Sequence, residues 1–168
     1  MNTDNTMATM AAMSSAEKMH VMMMDDGMME GAMMEHMMDE MMPVMQPGEI
    51  YERFASALNG NDLAGVMQLF DADGTTVPHP GAPAMAGMAA VRGVMEQCLA
   101  MQPHISYDDS NVIVADDIAL LRSTWRLNVT GPDGTPMEAT GKGIQVARRQ
   151  MDGSWRILID NPWCAEYP

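Results

Sequence analysis

Positive charge is scarce in this chain. Lys and Arg number nine against 23 Asp and Glu in 168 residues, giving a formal charge of −14 and a pI near 4.3. A protein that neutralises phosphates needs clustered cations, so nucleic acid is excluded as a partner, and anionic membrane surfaces are disfavoured for the same reason. Cysteine is equally sparse. Cys98 and Cys164 lie far apart and match no metal or redox spacing, so both read as free thiols. A Gly-rich phosphate loop, a nucleophile elbow and an H-E-x-x-H helix are all missing, which removes the commonest nucleotide, hydrolase and zinc chemistries. No cationic stretch leads into an apolar run near the N-terminus. Asp25, Asp26, Glu30 and Glu35 interrupt the Met runs before any could form a secretory core or span a bilayer, which places the protein in the cytoplasm.

Methionine is abundant instead, and unevenly so. Residues 1–45 hold 17 of the 24 methionines, no aromatic residue, eight acidic residues and Lys18 as the one cation, so this arm carries −7, half the formal charge. Met34, Met38, Met41 and Met45 recur at helical spacing beside Glu35 and Asp39, which suits a conditional amphipathic helix over roughly 28–42, although Gly27 and Gly31 weaken its start. Three readings stay open for the arm. It is disordered or loosely docked, it grips an apolar partner, or its thioethers hold a soft metal such as copper with His20 and His36. An adaptable Met face would also let it plug a pocket of its own domain.

From about Gln46 the chain reads as one globular domain, and 47% hydrophobic residues over the whole chain suffice for a core. Pro47 opens a helix to Asn59, stopped by Gly60, with Ile50, Phe54, Ala57 and Leu58 on one face. Asp62 caps a short helix through Phe70. Residues 74–79 look extended, and Met88–Met101 gives a third helix. Four strands follow at 106–114, 118–129, 137–150 and 154–159, separated by Ala-Asp-Asp, Gly-Pro-Asp-Gly-Thr-Pro and Met-Asp-Gly turns. Helices first and a meander after predict an α+β fold, with three helices packed on one face of a curved antiparallel sheet. The open edges and apolar outer face of such a sheet need cover, which makes a homodimer the expected assembly.

The stretch Tyr51-Glu-Arg-Phe-Ala-Ser-Ala-Leu-Asn-Gly-Asn-Asp-Leu-Ala-Gly-Val-Met-Gln-Leu-Phe-Asp-Ala-Asp-Gly-Thr-Thr-Val and the closing Asp152-Gly-Ser-Trp-Arg-Ile-Leu-Ile-Asp-Asn-Pro-Trp163 resemble the SnoaL-like, ketosteroid-isomerase-like branch of the nuclear-transport-factor superfamily. The resemblance covers about 46–163 and implies a cone-shaped pocket for a small apolar organic ligand, with no cofactor or metal required. In the isomerases of this fold a tyrosine and a protonated aspartic acid polarise a carbonyl while an aspartate moves the proton. By ungapped matching, the tyrosine position falls on Phe54, the proton-moving aspartate on His79 and the second oxyanion donor near Gln145.

Taken as residues, His79 stands between Pro78 and Pro80, where a stiff backbone aims an imidazole suited to proton transfer near neutral pH; a solvated loop histidine is the plainer alternative. Gln145 is either a donor to a carbonyl oxygen or a buried amide satisfied by backbone. Trp125 lies mid-strand and either fills the core or meets the ligand. Strand alternation places Trp155, Ile157, Ile159 and Asn161 on one face, so Asn161 is expected at the cavity rim with Trp163 beyond it, and Asp160 is expected to point away. The carboxylate pairs Asp71-Asp73, Asp108-Asp109 and Asp116-Asp117 sit at helix ends and turns and read as caps and Asx-type bonds. The leading expectation is thus a ligand-binding domain that, if catalytic, uses His79 for proton transfer on a carbonyl compound. The rival is a non-enzymatic dimer whose Met-rich arm binds a partner or copper.

Overall fold

The computed structural model describes residues 42–131 and 133–164, so the readings of the arm before Met42, its helix and its soft-metal site with His20 and His36, lie outside the described residues. Pro47 and Gly48 form a turn, with the amides of Glu49 and Ile50 donating to the carbonyls of Gln46 and Pro47, so α1 (Glu49–Asn59) begins two residues later than Pro47 suggested. Its buried face is Ile50, Tyr51, Phe54 and Leu58, the spacing that one side of a helix requires. Asp62 caps α2 (Leu63–Gln68) by accepting from the Gly65 amide at 3.0 Å. Phe70 then opens β1 (Phe70–Thr76) and does not belong to the helix. After the two-residue β2 (Met85–Ala86), α3 (Met88–Ala100) buries Val91, Met95 and Leu99.

The meander follows as β3 (His104–Ala115), β4 (Ile118–Thr130), β5 (Pro136–Arg149) and β6 (Trp155–Asn161). Sheet order is β2-β1-β6-β5-β4-β3, antiparallel except that β1 runs parallel to β6. The sheet is curved and unclosed, as the α+β reading required. Asp116 takes φ 55° in the two-residue β3–β4 turn, a left-handed conformation that Asp tolerates. Helical Ile50, Val66 and Val91 meet Leu121, Ala147 and Ile157 of the sheet in one core.

Two bulges set where side chains point. On β3, Asp108 is the extra residue between the pairs Tyr107↔Trp125 and Asp109↔Thr124. On β6, Val146 pairs with Ile159 and Ala147 with Ile157, so Leu158 is extra and the alternation reverses beyond it. Ile159 therefore faces outward, 42% exposed, and extends an apolar row in register across the outer face: Ile113, Leu120, Val146, Ile159.

At the foot of the sheet, buried Asp71 accepts from Arg148 Nε and Nη2 and, at 2.7 Å, from Gln150 Nε2, while Arg148 also bonds Asp73 at 2.9 Å. The Asp71–Asp73 turn contact exists as well, the Asp73 amide donating to Asp71 at 2.9 Å, but the ion pair to β5 is the larger feature and was not legible from spacing. Burial pushes the Asp71 carboxyl up; Arg148, the Asp73 amide and Gln150 pull it further down, so the net shift is below the usual carboxylate range. Its contribution to stability is complete above the ordinary Asp value of about 4 and is lost as pH falls through the lowered folded value. Asp71→Ala, which leaves Arg148 with Asp73 alone, should cost about 3 kcal/mol in urea unfolding at pH 7. That deficit should shrink as pH drops below about 4; a pH-independent deficit would show that the carboxylate charge is not what matters.

Candidate functional site

Between α1, α3 and the inner face of the sheet lies a cavity of about 360 Å³. Its wall is built in register rows. Tyr107 on β3 sits opposite Trp125 on β4, which sits opposite Gly141 on β5. The next row of the inner face carries Ser123 opposite Gly143, and the one after it runs Leu121, Gln145, Asp160 across β4, β5 and β6. Helical Phe54, Leu58, Met95 and Cys98 close the other side, and among the described residues no Lys or Arg lines the space.

Gly141 explains how Trp125 lies. A Cβ there would stand 2.4 Å from Trp125 Cζ2 and 2.8 Å from Cε2, so only a bare backbone lets the indole rest against β5. Trp125 Nε1 then donates to the Pro162 carbonyl at 2.8 Å, and its ring meets that of Trp163 edge-on with centroids 5.1 Å apart. This pair carries the chain end after β6 over the cavity, and Trp163 becomes part of the wall.

Asp160 is the one carboxylate in the lining among the described residues. The β6 bulge turns it inward, 4% exposed, between neighbours on both flanking strands. Gln145 Nε2 donates to Oδ1 and Thr76 Oγ1 to Oδ2, each at 3.0 Å. Two neutral donors do not offset the loss of water around a charge, and burial holds the Asp160 carboxyl above its usual range despite both bonds. Its effect reaches the groups around it. Burial first, then the Asp160 charge, raises the Cys98 thiol and the Tyr107 hydroxyl, with Tyr51 adding to Tyr107. Tyr51, its ring tilted against that of Tyr107 with centroids 4.7 Å apart, is pushed up to about 12 by burial and by Asp160, which the Ser123 hydroxyl only partly offsets.

Among the described residues, three shielded polar atoms lack a partner at full hydrogen-bond geometry: the Tyr51 hydroxyl, Gln145 Oε1 and Trp163 Nε1. Each such atom costs about 1–3 kcal/mol. Two belong to residues of the cavity wall, Gln145 and Trp163, and the third to the ring packed on Tyr107.

Of the residues singled out in the sequence, Phe54, Trp125, Gln145, Trp163 and His79 all border this cavity. His79 stands exposed at its mouth, with Nδ1 3.2 Å from the Pro80 carbonyl. Asn161 does not line it. Its Oδ1 accepts from the Trp163 amide at 3.3 Å, and the expected inward place belongs to Asp160 because the extra residue Leu158 exchanges the two faces. Tyr107 was also missed: the family alignment seeks a tyrosine on the first helix, whereas this hydroxyl arrives from β3. Among the described residues, no group of three or more His, Cys, Asp or Glu is placed to hold a metal ion, and no helix is long and apolar enough to cross a membrane.

The family model for the SnoaL-like domain matches residues 51–157. No curated protein matches the chain. Similar solved structures include a ketosteroid isomerase-like protein from Erwinia carotovora atroseptica, at 21% identity and TM-score 0.61, covering 68% of this chain and 89% of that one. An NTF2-like superfamily protein from Salmonella enterica serovar Typhimurium aligns at 18% identity and TM-score 0.61, covering 67% and 84%. An NTF2-like protein of unknown function from Pseudomonas putida aligns at 19% and 0.58, covering 68% and 80%. Identities this low speak for the fold alone.

The contact between Gly141 and Trp125 is testable directly. Gly141→Ala should displace the indole, break its bond to Pro162, red-shift Trp fluorescence and destabilise the fold by about 1–3 kcal/mol. Unchanged emission and stability would mean that Trp125 does not lie on that strand.

Proposed function

Because the chain belongs to the SnoaL-like domain family, we propose that its cavity binds a small, mostly apolar organic molecule and that Asp160 moves a proton on a carbonyl compound held there. One observation carries this reading: a buried carboxylate with no Lys or Arg among the described lining residues, clamped by Thr76 and Gln145 and facing a mostly apolar space. A carboxyl whose pKa is raised by burial exchanges protons closer to neutral pH than an exposed one, which is what general acid-base work asks of it. The volume of about 360 Å³ is within the range of small-molecule sites. Cys98, Tyr107 and the two tryptophans supply an apolar wall with hydroxyl and thiol protons that stay in place at neutral pH.

His79 supports a second assignment, because it borders the same space from the mouth. The two differ in where the proton sits: Asp160 would act on a buried ligand atom, His79 on one that reaches the rim. Solvent deuterium incorporation into a panel of apolar ketones that bind the protein separates them. Asp160→Asn should lower exchange at least about 100-fold with ligand affinity little changed, and His79→Ala less than about tenfold. Wild-type exchange in Asp160→Asn sinks the assignment to Asp160, and the reverse pattern transfers the role to His79.

A homodimer belongs to the same proposal. The row Ile113, Leu120, Val146, Ile159 runs across the face of the sheet opposite the helices, and its end residues are 55% and 42% exposed. A second copy laid on that face would cover it. Sedimentation at micromolar concentration should give a dimer, and Leu120→Lys with Ile159→Lys a monomer; a monomeric wild type would refute this assembly.

A further inference from the structure

A second hollow, of about 330 Å³, lies on the other side of α1. Phe54 and Leu58 border the ligand cavity, whereas Arg53, Ala57 and Gly60 border this groove, and the two spaces share no lining residue. Its opposite wall is the start of β6, with Trp155 and Arg156, and its rim is the chain at Met42 to Val44. The groove therefore combines two guanidinium groups with an apolar floor that includes Ala57, Leu69 and Trp155; its one acidic side chain among the described residues, Asp62, is buried and turned to the Gly65 amide as the α2 cap.

The rim is pinned in place. The Trp155 amide donates to the Val44 carbonyl at 2.7 Å, and the amides of Met45 and Gln46 donate to Glu49 Oε2 at 3.1 and 3.2 Å. Arg53 Nη2 donates to the Met42 carbonyl at 3.3 Å. Followed back from α1, the described chain thus runs along this groove to Met42 and not past the mouth of the ligand cavity. The 41 residues before Met42 carry eight acidic side chains, one Lys and 15 methionines. Asp39 and Glu40 come three and two residues before Met42, a reach of about 7–11 Å in extended chain. Tethering holds them there at an effective concentration on the order of millimolar. Methionine, flexible and polarizable, fits an irregular apolar floor without demanding one packing.

We propose that the acidic Met-rich arm docks in this groove through its segment 28–41. Asp39 and Glu40 then meet the Arg53 and Arg156 side, and the neighbouring methionines cover Ala57, Leu69 and Trp155. The arm so placed lies behind α1 and leaves the ligand cavity open, in contrast to the plug that a Met face beside an apolar pocket suggests.

The full-length protein tests this by timed cleavage after Glu35 with a Glu-specific protease. Arg53→Glu with Arg156→Glu should speed cleavage at least tenfold, as should 1 M NaCl on the wild type, where screening shortens to about 3 Å. Asp39→Lys with Glu40→Lys on the reversed background should restore protection at Glu35. If the reversed protein does not fold, Arg53→Gln with Arg156→Gln and the salt series carry the same comparison. Equal cleavage rates in wild type and groove variants overturn the contact. Protection that falls on dilution also overturns it, because the groove is then filled from a second copy.

Discussion

The site depends on one extra residue in β6. Leu158 has no partner on β5, and its insertion reverses which side chains face the helices. Without it, Ile159 would enter the core and Asp160 would be solvated. With it, Asp160 enters a space lined by aromatic and aliphatic groups, where the cost of a buried charge is reduced only by Thr76 and Gln145. Both donors stand beside Asp160 in register, one on each flanking strand, so the clamp follows from sheet topology and needs no loop to close. Sites held by strands in this way keep their geometry better than sites built on loops.

The same reversal has a consequence on the outer face. Ile159 leaves the interior and completes a four-strand apolar row, so the extra Leu158 that turns Asp160 inward also turns an apolar side chain onto the back of the sheet. The inward carboxylate and the outer apolar row are thereby linked through a single backbone irregularity. The clamp of Asp71 by Arg148 plays a different part: it ties the start of β1 to the end of β5 and fixes the parallel β1–β6 pairing that delivers Thr76 to Asp160.

Much of this fold is legible in the sequence because its elements are long and regularly patterned. The face of α1, the Asp62 cap and the three-turn meander follow from spacing and turn residues alone. The inward turn of Asp160 does not, since period-2 reasoning assumes that no residue is added. A signal was nevertheless present: Ile157, Leu158 and Ile159 are three apolar residues in succession, which a strand with one solvated face does not carry unless the ladder slips. Gly141 and Gly143 gave a second signal. Glycines two apart inside a strand point to close approach on one face, and Trp125 lies there. The ion pair between Asp71 and Arg148 spans 77 positions, and nothing local marks it.

The proposed chemistry depends on the protonation of one carboxyl. Carbon-13 NMR of the Asp side chains across pH, with Asp160→Asn for assignment, tests it directly. One carboxyl should titrate well above the ordinary Asp value of about 3.9 and vanish in the variant. If every Asp carboxyl titrates at or below that value, Asp160 is solvated, the β6 bulge does not carry it into the cavity, and the assignment of the proton step to Asp160 fails.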